Sequence, residues 1–517
     1  MKHLTLLSLC LCLLSQSVLA QENTDLPPFF SSIQATTTWG ADFPRTKGEV
    51  NFQLFSPTEN AYHLFLDPNK APKALLTFNN QHTLLKNEQF EQRFNLEPLV
   101  FQGAISSRSN SFTCFSLFSP KKSTQTVMLA PFRDGALGNL NTLFSYERST
   151  AESESAISTD KYNNLGVVSP LYRSPDGTKL AYIQCISKRT VNTQSQFVIA
   201  VMNEFGELLW RRKLELENVA EYITVLDATI SNDGKVILLT QLHASKTFAA
   251  SVGTPHIAGY RCQVFSIDET AIQDIDIYLE EEEAPLESRL FLPGGTSDVV
   301  TVCGLYNNLA LEGGNNGVFI NTMNIDEQTF TSNTHPFSNV LDSNSNYSDW
   351  QDKLILRDFF LLDNGNFGFI AEVAYISTPQ RVANAQQVSF ATHQLIIPWF
   401  NKQGDLERIA TLDKKLFTSN PLASSFAVGA KGNQLHFLYN TEATTTLPIP
   451  ADAKRNSIFT ISRTLNTQAG WSSERIVAIN TEKKKEILAR RSTFANNQTF
   501  LIAADRKSFQ VGIFTTD

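Results

Sequence analysis

The 517-residue chain contains few of the residue types on which metal, redox and thiol chemistry depend. It has 6 cysteines and 4 methionines, and two of the cysteines lie within the first 20 residues. The others are Cys114, Cys185, Cys262 and Cys303. They are widely separated, form no CxxC pair, and each lies in a strand-like segment. A disulfide framework or a structural zinc site is therefore not indicated, and we expect buried, unpaired thiols.

Histidines with metal-ligand spacing are also missing. After residue 20 the chain contains His63, His82, His243, His256, His335, His393 and His436. No two of them follow an HxH or i, i+4 spacing, so a metal site would need ligands from distant parts of the chain. The G-x-S-x-G motif of serine hydrolases is absent as well. We predict no metal, no cofactor and no catalytic residues from these patterns.

Charge and hydropathy exclude two further classes of protein. Only 18% of the residues are charged and the net charge is −8, which argues against nucleic acid as a partner. Beyond the N-terminal segment no apolar run approaches the roughly 20 residues of a transmembrane helix. Hydrophobic residues make up 42% of the chain and 37 of them are phenylalanine. We therefore expect a large core built mainly from aromatic rings.

The N-terminal segment has the pattern of a signal peptide. Met1–His3 is basic, Leu4–Leu14 is mostly apolar, and Val18-Leu19-Ala20 suits a signal peptidase that cleaves before Gln21. An apolar run of this length is too short to span a bilayer as a helix. We predict residues 1–20 to be a signal peptide and the protein to be exported, either to the periplasm or to the extracellular space and cell surface.

A turn followed by an apolar strand recurs along the chain and is the strongest structural signal. The turns are Ser174–Gly177, Ser231–Gly234, Pro293–Gly295, Asp363–Gly365, Lys431–Asn433 and Ala495–Asn497. Asp-Gly and Asn-Gly tolerate the positive φ angles of tight hairpins. More polar turns alternate with them, at Asn203–Gly206, Ile267–Glu269, Ile325–Glu327, Asn401–Gly404 and Asn480–Lys483. Each repeat is thus an inner and an outer hairpin, the four strands of a propeller blade.

The sequence therefore predicts an all-β protein, a β-propeller of four-stranded blades. Counting the hairpins gives seven blades, with six or eight as alternatives, and two unrelated β-sandwiches as the competing fold. Tyr62–Asp67 and Ala74–Phe78 look like an outer hairpin, whereas Arg491–Thr515 looks like an inner hairpin without its outer partner. We expect the two ends of the chain to close the ring by pairing, which removes free sheet edges. We assign residues 21–46 to a lead-in segment and 47–517 to the propeller.

Two of the turns resemble those of a known family. Ser174-Pro175-Asp176-Gly177-Thr178-Lys179-Leu180-Ala181-Tyr182 is similar to the repeat of TolB-type bacterial propellers, and Ser231–Val236 is a looser copy. With its signal peptide, the chain resembles secreted propeller-like proteins of Bacteroidetes, whose function is largely undefined. The specific match covers only these turns, and the resemblance implies no catalytic residues.

The function indicated is therefore an exported, non-enzymatic propeller that binds a protein or glycan partner, including as part of an envelope or surface assembly. Propellers present loops on a rigid scaffold, which suits binding. The alternative is a propeller enzyme, of the glycan hydrolase or lactonase type, with an acidic site on its axis. Asp176, Asp233 and Asp363 recur at the blade turns and are the candidate acids, although aspartate beside glycine is also what a tight turn favours.

Overall fold

The computed structural model of the chain describes most of the residues after the N-terminal segment. The described residues are 37–44, 50–55, 61–68, 73–79, 81–90, 93–94, 97–133, 136–147, 170–187, 196–215, 222–243, 257–267, 273–277, 279, 283–308, 314, 316–327, 329–341, 353–377, 389–418, 421–442, 458–466, 470–472, 475–480, 486–495, 498–505 and 508–515. The predicted signal peptide lies outside them. Within them, no helix has the length and apolar character needed to cross a membrane.

Nearly all regular structure is β-strand. The first strands are β1 (Thr37–Trp39), β2 (Phe43–Pro44), β3 (Val50–Phe55), β4 (Ala61–Pro68), β5 (Lys73–Asn79), β6 (Leu84–Phe90), β7 (Arg93–Phe94), β8 (Glu97–Ser106), β9 (Ser111–Ser119), β10 (Thr124–Arg133), β11 (Ala136–Leu137) and β12 (Asn141–Glu147). The next are β13 (Leu171–Arg173), β14 (Lys179–Ser187), β15 (Gln196–Asn203), β16 (Leu208–Glu215), β17 (Tyr222–Ile230), β18 (Val236–His243), β19 (Ile257–Phe265), β20 (Gln273–Ile277), β21 (Glu283–Phe291), β22 (Val299–Asn308), β23 (Gly317–Asn324) and β24 (Thr329–Pro336).

The remaining elements complete the chain. They are β25 (Leu354–Leu361), β26 (Phe367–Ser377), β27 (Ser389–Phe400), β28 (Leu406–Thr418), β29 (Phe426–Lys431), β30 (Gln434–Glu442), β31 (Ile458–Asn466), β32 (Gly470–Trp471), β33 (Arg475–Asn480), β34 (Glu486–Ile487), β35 (Thr493–Ala495), β36 (Gln498–Ala504) and β37 (Ser508–Thr515). Two short helices, α1 (Phe337–Val340) and α2 (Pro421–Ser424), and a 3-10 helix (Ala489–Arg491) lie between strands.

The strands form eight antiparallel sheets, which we call blades 1 to 8 in chain order. Blade 1 is β3–β6, blade 2 is β7–β12, blades 3 to 6 are β13–β16, β17–β20, β21–β24 and β25–β28, blade 7 is β29–β33, and blade 8 joins β34–β37 to β1 and β2. Neighbouring strands in each blade are consecutive in the chain, as hairpins require. The fold is an eight-bladed β-propeller, which confirms the predicted class.

Pairing of the two chain ends closes the ring, as predicted. Thr37–Trp39 and Phe43–Pro44 both pair with the last strand, β37, and Trp39 lies opposite Gly512. The outer edge of blade 8 is therefore supplied from within the segment that we assigned to the lead-in. A free edge on β37 would otherwise offer unpaired backbone groups to other chains.

The most favoured count, seven blades, is wrong, and the number is the allowed alternative of eight. The hairpin Tyr62–Phe78 is the middle of a complete blade, because β3 pairs on its inner side and β6 on its outer side. Counting it as the missing half of the last blade merged two blades into one. The turn predicted at Asn480–Lys483 is also misplaced, since Asn480 ends β33 and the chain then passes to blade 8.

The core lies between the blades. Eight clusters of buried hydrophobic side chains are found, one at each interface between neighbouring blades around the ring. Aromatic rings supply much of this core: Phe65, Phe78 and Phe115 are fully buried. Each blade therefore buries both of its faces and depends on both neighbours, as a radial repeat architecture requires.

The predicted inner turns join the first two strands of their blades and lie on one face of the disc, which we call the turn face. Their glycines have the expected positive φ, for example +74° at Gly177 and +85° at Gly234. Adjacent turns are hydrogen-bonded to each other: Asn232 accepts the amide of Asp176 at 3.0 Å and donates its own amide to the carbonyl of Gly295 at 2.7 Å. These bonds fix neighbouring blades at the turn face.

Candidate functional site on the propeller axis

The innermost strands of successive blades lie side by side in a ring. In order around the axis they are β3, β8, β13, β17, β21, β25 and β29, and the 3-10 helix of blade 8 contacts both β29 and β3 to close it. Side chains on these strands that do not enter a core between blades face the axial space. Polar residues in these otherwise apolar strands are therefore the candidates for a functional site.

Five polar residues from five blades form one cluster there. They are Tyr172 on β13, Asp227 on β17, Arg289 on β21, Asp358 on β25 and Arg490 on the 3-10 helix. Charge interactions connect them: Arg289 acts on Tyr172, Asp227 and Asp358, and Arg490 acts on Asp358. We call this group the axial cluster. It combines two carboxylates, two guanidinium groups and one phenol within a single electrostatic neighbourhood.

A β-bulge at the same place in blades 4, 5 and 6 positions three acidic residues. Each inner strand carries one extra residue in its pairing with the second strand, and the residue after it is Asp227, Glu287 or Asp358. A bulge re-aims the side chain that follows it. Here it directs a carboxylate of the inner strand either to the next blade or to the axis.

Two of these carboxylates link their blade to the next one. Asp227 accepts the backbone amide of Leu290 in blade 5 at 2.9 Å, and Glu287 accepts that of Leu356 in blade 6 at 2.6 Å. Hydrogen bonds of an amide to a charged carboxylate are among the stronger ones in proteins. These two acids therefore have a clear structural role at the blade interfaces.

Asp358 does not continue this series. The hydrogen bond described for its carboxylate is to the amide of its own neighbour, Phe359, at 2.8 Å. The side chain is exposed, yet burial raises its pKa to about 6, against the opposing effects of the Phe359 amide, Arg289 and Arg490. A side chain that solvent reaches while protein surrounds it is what a narrow, enclosed space produces. Asp358 therefore faces the axial space as an available carboxyl group.

Burial also perturbs the neighbouring groups. It raises the pKa of Asp227, while Arg289 and the amides of Leu290 and Ala228 oppose that effect. It raises the pKa of Tyr172 too, with a smaller contribution from Asp227. Titratable groups whose pKa is shifted by burial and by each other are a frequent mark of functional sites.

Aromatic side chains stand beside the charged residues. Phe291, two residues after Arg289, stacks with Phe359, the residue after Asp358, with 6.3 Å between ring centroids and 13° between ring planes. Both rings are half-buried. The site thus offers apolar ring surface next to hydrogen-bonding groups, which is the usual composition of a ligand pocket.

The acids singled out from the sequence are elsewhere. Asp176, Asp233 and Asp363 lie in the turns of the turn face, not on the inner strands. Asp176 accepts hydrogen bonds from Ser174 at 2.7 Å and from the Thr178 amide at 2.9 Å, which stabilises its own turn. Asp233 likewise accepts a hydrogen bond from Ser297 of the next blade at 2.9 Å. Their arrangement is that of turn residues.

The axial cluster escaped the sequence analysis, although a signal for it exists. Asp227 interrupts the apolar segment 222–230, and Arg357-Asp358 interrupts the apolar segment 354–362. Charged residues in the middle of an inner strand are unusual, because such strands are buried on both faces. The turn motifs drew the search to the wrong end of the same strands.

Metal and thiol chemistry find no place among the described residues. No group of three or more histidine, cysteine or acidic side chains there could hold a metal ion. Cys114, Cys262 and Cys303 are buried, unpaired thiols, as predicted, and the side chain of Cys185 lies outside the described part. Burial raises the pKa of Cys262 and Cys303, so these thiols are poor nucleophiles.

Comparison with known proteins adds likenesses of fold. No family model matches the chain, and no curated protein is recognisably similar to it in sequence. Among solved structures, it is similar to the Dos1 propeller, with 10% identity over 93% of this chain and 95% of that one and a TM-score of 0.44. It is also similar to the polysaccharide lyase Uly1, with 8% identity over 96% of each chain and a TM-score of 0.38. The β-propeller domain of the Trilobed protease from Pyrococcus furiosus is 11% identical over 87% of this chain and 97% of that one, with a TM-score of 0.36.

Proposed function

We propose that the protein is an exported propeller that binds a glycan in the axial cluster without transforming it. Export is the role that the sequence pattern of residues 1–20 supports. The binding proposal rests on one observation: Asp358 presents an exposed carboxyl group inside the ring, at a bulge position where the two preceding blades use theirs as structural links.

The chemistry of the cluster favours a hydroxyl-rich ligand. Carboxylates accept, and guanidinium groups donate, the hydrogen bonds that sugar hydroxyls need, and Tyr172 can do both. The stacked rings of Phe291 and Phe359 provide apolar surface for the C–H face of a sugar. The enclosed position on the axis also suits a narrow chain better than the surface of a folded protein, so a glycan is favoured over a protein partner.

A binding screen with a matched pair of variants tests this proposal. The purified protein, Asp358→Asn and the control Asp326→Asn, which changes an exposed turn of blade 5, are compared on a panel of immobilised glycans. We expect the wild type and the control to bind the same glycan, and Asp358→Asn to bind it about tenfold or more weakly, the usual effect of losing a hydrogen bond to a charged group. Equal binding by Asp358→Asn, or binding of no glycan at all, would refute the proposal.

One observation favours the second candidate, a propeller enzyme with an axial acid. The pKa of Asp358 is raised to about 6 by burial, and that of Asp227 is raised as well. A carboxyl group that stays protonated near neutral pH can act as general acid in glycoside chemistry. Release of reducing ends from the bound glycan, with a rate that falls above pH 6 and is lost in Asp358→Asn, would establish this function in place of simple binding.

A further inference from the structure

A network of three buried charges lies directly behind Asp358. Arg357, the extra residue of the bulge, places its Nε 2.8 Å from Oε2 of Glu372, and Nζ of Lys414 lies 2.7 Å from Oε1 of the same carboxylate. The side chains of Glu372 and Lys414 are 0% exposed and that of Arg357 is 8% exposed. Burying ions carries a large desolvation penalty, so a network of this kind needs a reason.

The network joins blade 6 to the beginning of blade 7. Ser425, just after α2, donates a hydrogen bond to Oε2 of Glu372 at 3.1 Å. Lys414 donates to the carbonyl oxygen of Ser424 at 2.9 Å. At the two preceding interfaces, the carboxylates of Asp227 and Glu287 make the connection to the next blade. At this interface, Glu372 and Lys414 on other strands of blade 6 make it instead.

Blade 4 shows that the bulge itself needs no charge. Its extra residue is Leu226, which is buried in the core between blades 4 and 5. The same backbone feature in blade 6 is occupied by Arg357 and anchored by a buried carboxylate. Since an apolar side chain satisfies the bulge two blades earlier, folding alone does not account for the three charges.

We infer that Arg357, Glu372 and Lys414 form a positioning device for Asp358. The device takes over the connection between blades 6 and 7, and this leaves the Asp358 carboxyl group to the axial space. It also fixes the bulge from which Asp358 projects, because Arg357 is the preceding residue. The inference deepens the proposed function and rests on it for the role of Asp358 in binding.

The charge state of the network agrees with a fixed anchor. Although burial acts to raise it, the pKa of Glu372 is held below its usual value by Lys414 and Arg357. The carboxylate therefore stays ionised at any pH at which the protein is expected to work. Asp358 is then the group beside this anchor that changes its protonation near neutral pH.

The test replaces the network by apolar side chains of similar size, Arg357→Leu, Glu372→Leu and Lys414→Met together. Such replacements of buried ion networks often leave stability unchanged or increased. We expect a folded variant in which the affinity for the glycan falls about tenfold. We also expect the pH midpoint at which carbodiimide labels Asp358, read by mass spectrometry, to move from about 6 towards that of an ordinary carboxyl group.

The control is a charge network far from the axis. Arg261 lies 3.1 Å from Asp274 and 2.7 Å from Asp276 on the outer strands of blade 4, and Arg261→Met should change neither readout. A folded triple variant with unchanged labelling and affinity would overturn the inference. If the triple variant fails to fold, Glu372→Gln is measured in the same way, because it keeps the shape of the side chain and removes its charge.

The labelling needs no glycan, so the two proposals fail separately. A shifted labelling midpoint without glycan binding would support the positioning role and refute the proposed function. Glycan binding that depends on Asp358 but not on the network would do the reverse.

Discussion

Replacing Asp358 by asparagine should stabilise the protein, and more so at higher pH. The amide keeps the oxygen that accepts the Phe359 hydrogen bond and removes a charge from an enclosed position. A functional carboxyl group that lowers stability is a common exchange of stability for activity.

The size and the sign of the effect follow from the raised pKa. Below about pH 4 the carboxyl group is protonated in both the folded and the unfolded chain, and it contributes nothing. Between about pH 4 and pH 6 the folded chain retains a proton that the unfolded chain has lost, so the free energy of unfolding falls as pH rises. Above pH 6 the full penalty is present. The difference between a pKa of about 6 and one of about 4 is worth about 3 kcal/mol, which water in the axial space should reduce to about 1 kcal/mol.

Urea denaturation at pH 4 and pH 8 measures this difference. We expect Asp358→Asn to match the wild type at pH 4 and to be more stable by about 1 kcal/mol at pH 8. Asp326→Asn, on an exposed turn, should match the wild type at both. A variant that is less stable than the wild type at pH 8, or whose difference does not depend on pH, would refute the argument that Asp358 faces an enclosed axial space.

Three further predictions concern the ring itself. Asn232→Ala should lower the free energy of unfolding by about 1 kcal/mol in urea, because Asn232 accepts the Asp176 amide across the turn face; no change would show that the turns do not support each other. Gly304→Ala should lower it by about 3 kcal/mol or prevent folding, since a Cβ there would lie 1.9 Å from the carbonyl oxygen of Glu287 at the blade 5 bulge; wild-type stability would show that this backbone contact is looser. Deleting residues 37–44 should expose the edge of β37 and cause self-association, detectable by light scattering; a stable monomer would argue against closure by the N-terminal strands.

The fold was predictable wherever a turn carries its own residue signature. Gly177, Gly234 and Gly365 each occupy a positive-φ position, and each marks the inner hairpin of a blade. The first two blades carry no such marker, because the connections before β4 and β9 contain no glycine. The blade count was wrong for that reason: the hairpin Tyr62–Phe78 had no visible inner strand and was assigned to the closure.

The axial cluster depends on contacts that no local pattern contains. Asp227, Arg289 and Asp358 are far apart in the chain, and they meet only because three consecutive inner strands stand side by side. What distinguishes Asp358 from Asp227 is a hydrogen bond to the neighbouring blade, which is a property of tertiary packing. The sequence contains the unusual charge in an apolar strand but not its consequence.

The most direct test of the account is a crystal structure of the protein with its bound glycan. We expect sugar hydroxyls inside the ring, with at least one oxygen at hydrogen-bond distance, about 3 Å, from the carboxyl group of Asp358. A glycan seated on the turn face or on the outer strands, with the axial space left to water, would contradict the assignment of the axial cluster as the functional site.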